Sequence, residues 1–161
     1  MAYDKIYLRR QRRLGRIYLR QDPRGRSVLL IPEGVDNRGA QLFLEGMNAP
    51  AFAPQARSLA DTRALLEQLA HAYQAPLGLI ALPRIELRAM DGFWGKCRFD
   101  EALILLNTEC RSLPAEIIEA LLVHELCHLR VHDHEPPFWR LMTELMPDWA
   151  FQEGRLRRMK T

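Results

Sequence analysis

Four of the chain's five histidines, His124, His128, His132 and His134, fall in the stretch HELCHLRVHDHEPPFW, residues 124–139. Imidazole is a favoured ligand for divalent metals, and spacing decides which rings can share one ion. On a helix, residues i and i+4 lie on one face about 6 Å apart along the axis, so His124 and His128 can each reach an ion at about 2.0–2.1 Å. Glu125 completes H-E-x-x-H, in which the carboxylate stays off the metal and takes a proton from metal-activated water. His132 continues the series at i+8, but a straight helix would carry it about 12 Å from His124, too far to share the ion. The chain must therefore turn back after about Val131. That selects His134 as third ligand and leaves the fourth position to water or substrate, as catalytic zinc requires.

Neighbouring residues read more plainly. Cys127 points about 100° away from each flanking motif position and reads as a core thiol. His132 reads as exposed or packed beside the site, and Asp133 either accepts the second N–H of a ligand imidazole or caps a helix. His71 reads as a surface histidine, and Met142 and Met146 as core. A closed structural zinc site would call for a fourth protein ligand, usually Cys, and would leave Glu125 without a purpose. The expected cofactor is Zn2+, the ion that imidazole ligands favour.

The elements that would position these residues can be traced from periodicity. PAEIIEALLVHELCHLRV, residues 114–131, is apolar nearly all the way round, which predicts a helix buried on most sides. Pro136 and Pro137 break the chain and can start another helix, with Phe138, Leu141, Met142, Leu145 and Met146 on one face and Pro147 at its end. Asp148 can cap a final basic helix running to the C-terminus. Upstream, Ser58 and Asp61 resemble a capping box ahead of a helix over 59–74. RIELRAM reads as a strand, and CRF and ALILLN flank a turn at Asp100-Glu101. RIYLRQDPRGRSVLLIP reads as a hairpin about Asp22-Pro23-Arg24-Gly25. Residues 33–57 show no sustained period and read as loop, with a short strand at Gln41–Leu44.

At 161 residues the chain reads as one domain over 1–161, with an N-terminal basic segment and hairpin in 1–57 and the helix, sheet and histidine motif in 58–161. Net charge is only +3, yet residues 1–26 hold nine Lys or Arg against two Asp. Such a segment could contact nucleic-acid phosphates, although interleaved Tyr3, Ile6, Tyr7, Leu14, Ile17 and Tyr18 favour a packed, solvated face. Cys97, Cys110 and Cys127 match no disulfide or zinc-knuckle spacing. The charged start MAYDKIYLRRQRR and the lack of any run of about eighteen apolar residues argue against membrane insertion. The expected setting is the cytoplasm.

With these residues in place, the C-terminal half resembles the YgjP-like family of zinc metallopeptidases, related in active-site design to the SprT and Spartan proteases. The resemblance rests on HELCHLRVHDHEPPFW, on the following LMTELMPDW, and on GFWGKCRFDEALILLN, which looks like the family's Trp-Gly-x-Cys hairpin leading into a strand that ends in Asn. It covers roughly residues 83–150. It implies His124, His128 and His134 as zinc ligands, Glu125 as catalytic base, and Trp94, Gly95 and Cys97 as shaping the rim of the site. It also implies an α+β, zincin-like fold: a small, mostly antiparallel sheet packed on the active-site helix, followed by C-terminal helices. The His124 to His134 spacing equals that of metzincins, but Val131 stands where those have Gly, which argues against membership there.

The function expected is hydrolysis of a protein or peptide by metal-activated water, with the strand Ala102–Leu106 offering an edge to an extended substrate. Two alternatives stay open: a nucleic-acid-associated accessory protein with slow or conditional proteolysis, and a zinc hydrolase of a non-peptide substrate.

Overall fold

The structure, a computed structural model, describes residues 5–55 and 57–158. Tyr3 of the basic segment and the last residues of the expected C-terminal helix lie outside them.

The N-terminal segment forms strands β1 (Ile6–Gln11), β2 (Tyr18–Gln21) and β3 (Ser27–Pro32). The hairpin β2–β3 forms as its turn residues dictate. Asp22 Oδ1 accepts the backbone N–H groups of Arg24 and Arg26 at 2.9 Å each, and Gly25 takes φ 72°. β1 lies parallel to β3 on its other side, so the sheet runs β1-β3-β2. A second sheet repeats this plan. β4 (Arg84–Arg88) is parallel to the fully buried β6 (Leu103–Asn107), and β5 (Gly95–Arg98) is antiparallel to it, giving β4-β6-β5.

The α+β architecture is the expected one. The single, mostly antiparallel sheet is corrected to two mixed sheets, because each local hairpin recruits an earlier strand in parallel. The expected substrate edge at Ala102–Leu106 is corrected as well: β6 is the middle strand, and the edges belong to β4 and β5.

Residues 33–57 hold a further correction. They form a helix, α1 (Asn37–Asn48), where a loop and short strand were expected. Asp36 caps it, its Oδ1 accepting the Gly39 N–H at 2.8 Å, and Phe43 is fully buried. Helix α2 (Leu59–Gln74) starts as its capping box predicts, with Ser58 Oγ accepting the Asp61 N–H at 3.0 Å.

Helix α3 (Ala115–Cys127) crosses the centre of the molecule with Ile117, Ile118, Leu122, Val123 and Leu126 buried. α4 (Pro136–Leu145) and α5 (Trp149–Arg157) follow. One hydrophobic cluster joins Ile17, Ile31, Phe43, Leu66, Ile104, α3, Trp139 and Leu156, so both sheets and every helix share a core. Among the described residues no helix is long and apolar enough to cross a membrane.

Candidate metal centre and active site

α3 carries His124 and Glu125 on its last full turn and ends at Cys127, four residues before the turn the spacing suggested. His128, at the C-cap, keeps helical dihedrals (φ −65°, ψ −17°), so the i, i+4 relation to His124 survives. The turn closes when the backbone N–H of Val131 bonds the Cys127 carbonyl at 2.9 Å. The chain then doubles back and delivers His134. Two contacts fix that return: Trp139 Nε1 donates to the His134 carbonyl at 3.1 Å, and the Glu135 carboxylate pairs with Arg13 at 2.9 Å and Arg12 at 3.4 Å.

The three Nε2 atoms converge. His134 Nε2 stands 3.0 Å from both His124 Nε2 and His128 Nε2, and the ligand-capable atoms of the three side chains lie within 4.8 Å of one another. Tetrahedral nitrogens at zinc bond length would be about 3.3 Å apart, and the two separations from His134 come within a few tenths of an ångström of that value. His128 Nδ1 meets the Val131 carbonyl at 3.1 Å. With its proton on Nδ1, that ring presents the Nε2 lone pair inward. Below the cluster lies an aromatic floor: Phe138, fully buried, stacks on His128 with centroids 4.5 Å apart, and Trp139 stacks on His134 at 5.6 Å.

Electrostatics suit metal binding. Burial, and next to it the proximity of the other two rings, holds His124 well below the usual histidine range. Burial likewise lowers His128 and takes His134 down to about 4. All three are therefore neutral at physiological pH, the state a ligand requires. Glu125 is 8 % exposed, and burial pushes its carboxyl up to about 8, against the opposing pull of the Cys97 backbone and of Arg16. Room for this side chain exists because the residue facing it is glycine: a Cβ at Gly95 would stand 2.7 Å from Glu125 Oε1.

The other candidates divide. Trp94 and Gly95 line the cleft beside His124 and Glu125, and the Trp94 carbonyl accepts the Asn107 N–H at 2.8 Å, tying the rim to β6. Asp133 Oδ1 accepts the backbone N–H of Glu135 at 3.2 Å, and the acceptor at His128 Nδ1 is the Val131 carbonyl. His132 is exposed and stacks on Phe99 with centroids 3.6 Å apart. Cys127 is buried against the Met142 sulfur, with burial pushing its thiol up to about 12. His71 is exposed on α2.

Sequence reasoning missed the N-terminal wall. Gly15 lies against the His134 ring, where a Cβ would stand 3.2 Å from Cε1 and Nδ1, and Arg16 lines the cleft with His124 and Glu125. A lone glycine in RLGRI signals a close backbone approach, but nothing local says to what.

A family model described as YgjP-like, metallopeptidase domain, matches residues 55–159. No curated protein matches the sequence. Among solved structures, the chain is similar to the metallopeptidase zymogen of Pyrococcus abyssi abylysin, at 25% identity and a TM-score of 0.52, over 59% of this chain and 92% of that one. The convergence of His124, His128 and His134 beside a buried glutamate lies inside the matched segment, and the chain belongs to the YgjP-like metallopeptidase family.

Proposed function

We propose that this protein is a zinc-dependent peptidase in which His124, His128 and His134 hold the ion and Glu125 is the general base. The observation that carries this reading is the convergence of three imidazoles, with His134 Nε2 3.0 Å from both His124 Nε2 and His128 Nε2, beside a buried carboxylate in an open cleft. Bound zinc supplies a water acidified toward neutrality and a Lewis acid for the scissile carbonyl. Glu125 takes the proton from the attacking water and passes it to the leaving amine. Its burial keeps competing solvent away, and Gly95 leaves its carboxylate free to face the cleft. An extended peptide would add to edge strand β5, which borders the site, and backbone pairing there demands little sequence preference. The three cysteines are free, which suits the cytoplasmic setting that belongs to this reading.

The test is metal content beside turnover of an unfolded protein substrate such as labelled casein. Wild-type protein should carry one zinc per chain and cleave. Glu125→Gln should keep the zinc and lose turnover by about a hundredfold to ten-thousandfold. His134→Ala should lose most of the zinc. Normal cleavage by Glu125→Gln, or full zinc in His134→Ala, would sink the assignment.

Nucleic-acid contact is a second reading, favoured by one observation: Tyr7, Arg9, Tyr18 and Arg20 pair across Val28 and Leu30 on the outward face of the first sheet. Against it, Arg10 bonds Asn37, Arg12 and Arg13 hold Glu135, and Arg26 holds Asp22. Neutralising Arg9 and Arg20 together should lower the salt slope of single-stranded DNA binding by about 2 if this face touches phosphates. An unchanged slope would make it a solvated face.

A further inference from the structure

We propose that the cleft beside Glu125 carries a carboxylate-binding subsite built from Arg16 and Arg157, so that the preferred substrate presents a carboxylate next to the scissile bond. This rests on the peptidase reading above and names the chemistry of its substrate.

The cleft has mixed walls. Ile117, Leu121, Met142 and Trp149 make one side apolar, and two guanidinium groups, those of Arg16 and Arg157, stand among the remaining residues. Among the described residues no carboxylate forms an ion pair with Arg16. The other cations of that connection are spent on structure, Arg12 and Arg13 on Glu135, whereas Arg16 lines the cleft together with His124 and Glu125. Its backbone is held on both sides: Gly15 packs on the His134 ring, and Ile17 is fully buried. A guanidinium that lines a cleft with no carboxylate paired to it is suited to receive an anion, because its attraction grows as water leaves.

Arg157 supplies an independent observation. Its Nε is engaged by Glu153 at 3.3 Å and its guanidinium lies over the Tyr18 ring at 5.0 Å, yet Nη2 is buried with no hydrogen-bond partner. A buried donor without a partner is destabilising, a deficit that an incoming acceptor removes. Arg16 and Arg157 line one cleft with the apolar side chains of Ile117, Leu121, Met142 and Trp149, and that combination of cations with apolar wall gives the subsite its chemistry. The carboxylate has two sources in a peptide: an acidic side chain, or the chain's own C-terminus.

The experiment uses zinc-loaded full-length protein and four quenched-fluorescent peptides of one sequence. Two carry Glu or Gln after the scissile bond within a longer peptide, and two end there with a free or an amidated C-terminus. Wild type should favour one carboxylate form over its amide by at least tenfold in KM. Arg16→Ala and Arg157→Ala should each shrink that ratio several-fold, and Arg16→Lys should recover part of it. Preference for Glu over Gln identifies a side-chain subsite; preference for the free C-terminus identifies a carboxypeptidase-like one. Equal handling of acid and amide by wild type, or a selectivity ratio unmoved in both alanine variants, would overturn the subsite and leave the peptidase reading standing. A kcat loss in Arg16→Ala with the ratio intact would overturn it too, by making Arg16 a transition-state contact. If wild type cleaved nothing while Glu125→Gln still bound the carboxylate peptides in an Arg16-dependent way, the peptidase reading would fail and the subsite would stand.

Discussion

At the scale of single residues, the chemistry sits in a few atoms whose neighbours matter as much as their identity. The pattern H-E-x-x-H and the later histidine were readable because each follows from helix geometry and reach. What orients them was not readable. The acceptor at His128 Nδ1 is a backbone carbonyl, of Val131, and a carbonyl leaves no mark in the sequence; the visible carboxylate, Asp133, is used on the Glu135 backbone instead. Gly95 is the clearest case of an absent side chain that matters. Its added Cβ would stand 2.7 Å from Glu125 Oε1, inside any permitted contact, so Gly95→Ala must push the carboxylate aside. On the proposed roles of the three histidines and Glu125, zinc binding should survive while turnover falls by about tenfold to a hundredfold, the scale of displacing a catalytic group by about 1 Å. Zinc content and kcat on one preparation check this; unchanged kcat would mean that Glu125 shifts without consequence.

At the scale of elements, legibility followed sequence distance. α2 with its capping box, α3 with its long apolar run, α4 with its periodic face behind a double proline, and both hairpins were visible because their signals lie within a few residues. β4 was readable as a strand in RIELRAM and β1 was not, and the parallel pairing of neither was readable, since pairing across an intervening strand has no local signature. α1 was missed because Gly39, Gly46 and two asparagines dilute its pattern, each glycine costing about 1 kcal/mol in a helix. Tertiary packing explains the glycines. A Cβ at Gly46 would collide with the Phe151 carbonyl, and one at Gly154 with the Phe43 carbonyl, so α1 and α5 meet backbone to backbone at their crossing. Residues that weaken the isolated helix thus permit the contact that holds it. We therefore predict that Gly154→Ala, which any helix scale ranks as stabilising, destabilises this protein by about 1–3 kcal/mol through overpacking. Denaturant unfolding decides between the two signs.

At the scale of the whole molecule, metal and stability are coupled through protons. In zinc-free protein burial lowers all three site histidines, His134 to about 4, below the pH at which the unfolded chain charges them, so as pH rises toward 6.5 the unfolded state binds more protons and stability rises with pH. Glu125 acts in the opposite sense. Its buried carboxyl keeps its proton up to about 8 while the unfolded chain sheds it near 4.5, so it lowers stability as pH rises through that window. Three groups outweigh one below pH 6.5, and above it the histidines are neutral in both states and only the Glu125 contribution remains. Zinc-free protein should thus be most stable near pH 6.5 and lose on the order of 1–2 kcal/mol by pH 8. In Glu125→Gln the alkaline decline should vanish while the acid limb stays. Zinc should reverse the trend, because it competes with protons for the imidazoles and binds only the folded site, so that its stabilisation grows with pH. Thermal unfolding from pH 5 to 8, with chelator and with zinc, tests both statements. A zinc-free curve that climbs monotonically to pH 8 would mean that the folded protein already carries Glu125 as a carboxylate before any metal arrives.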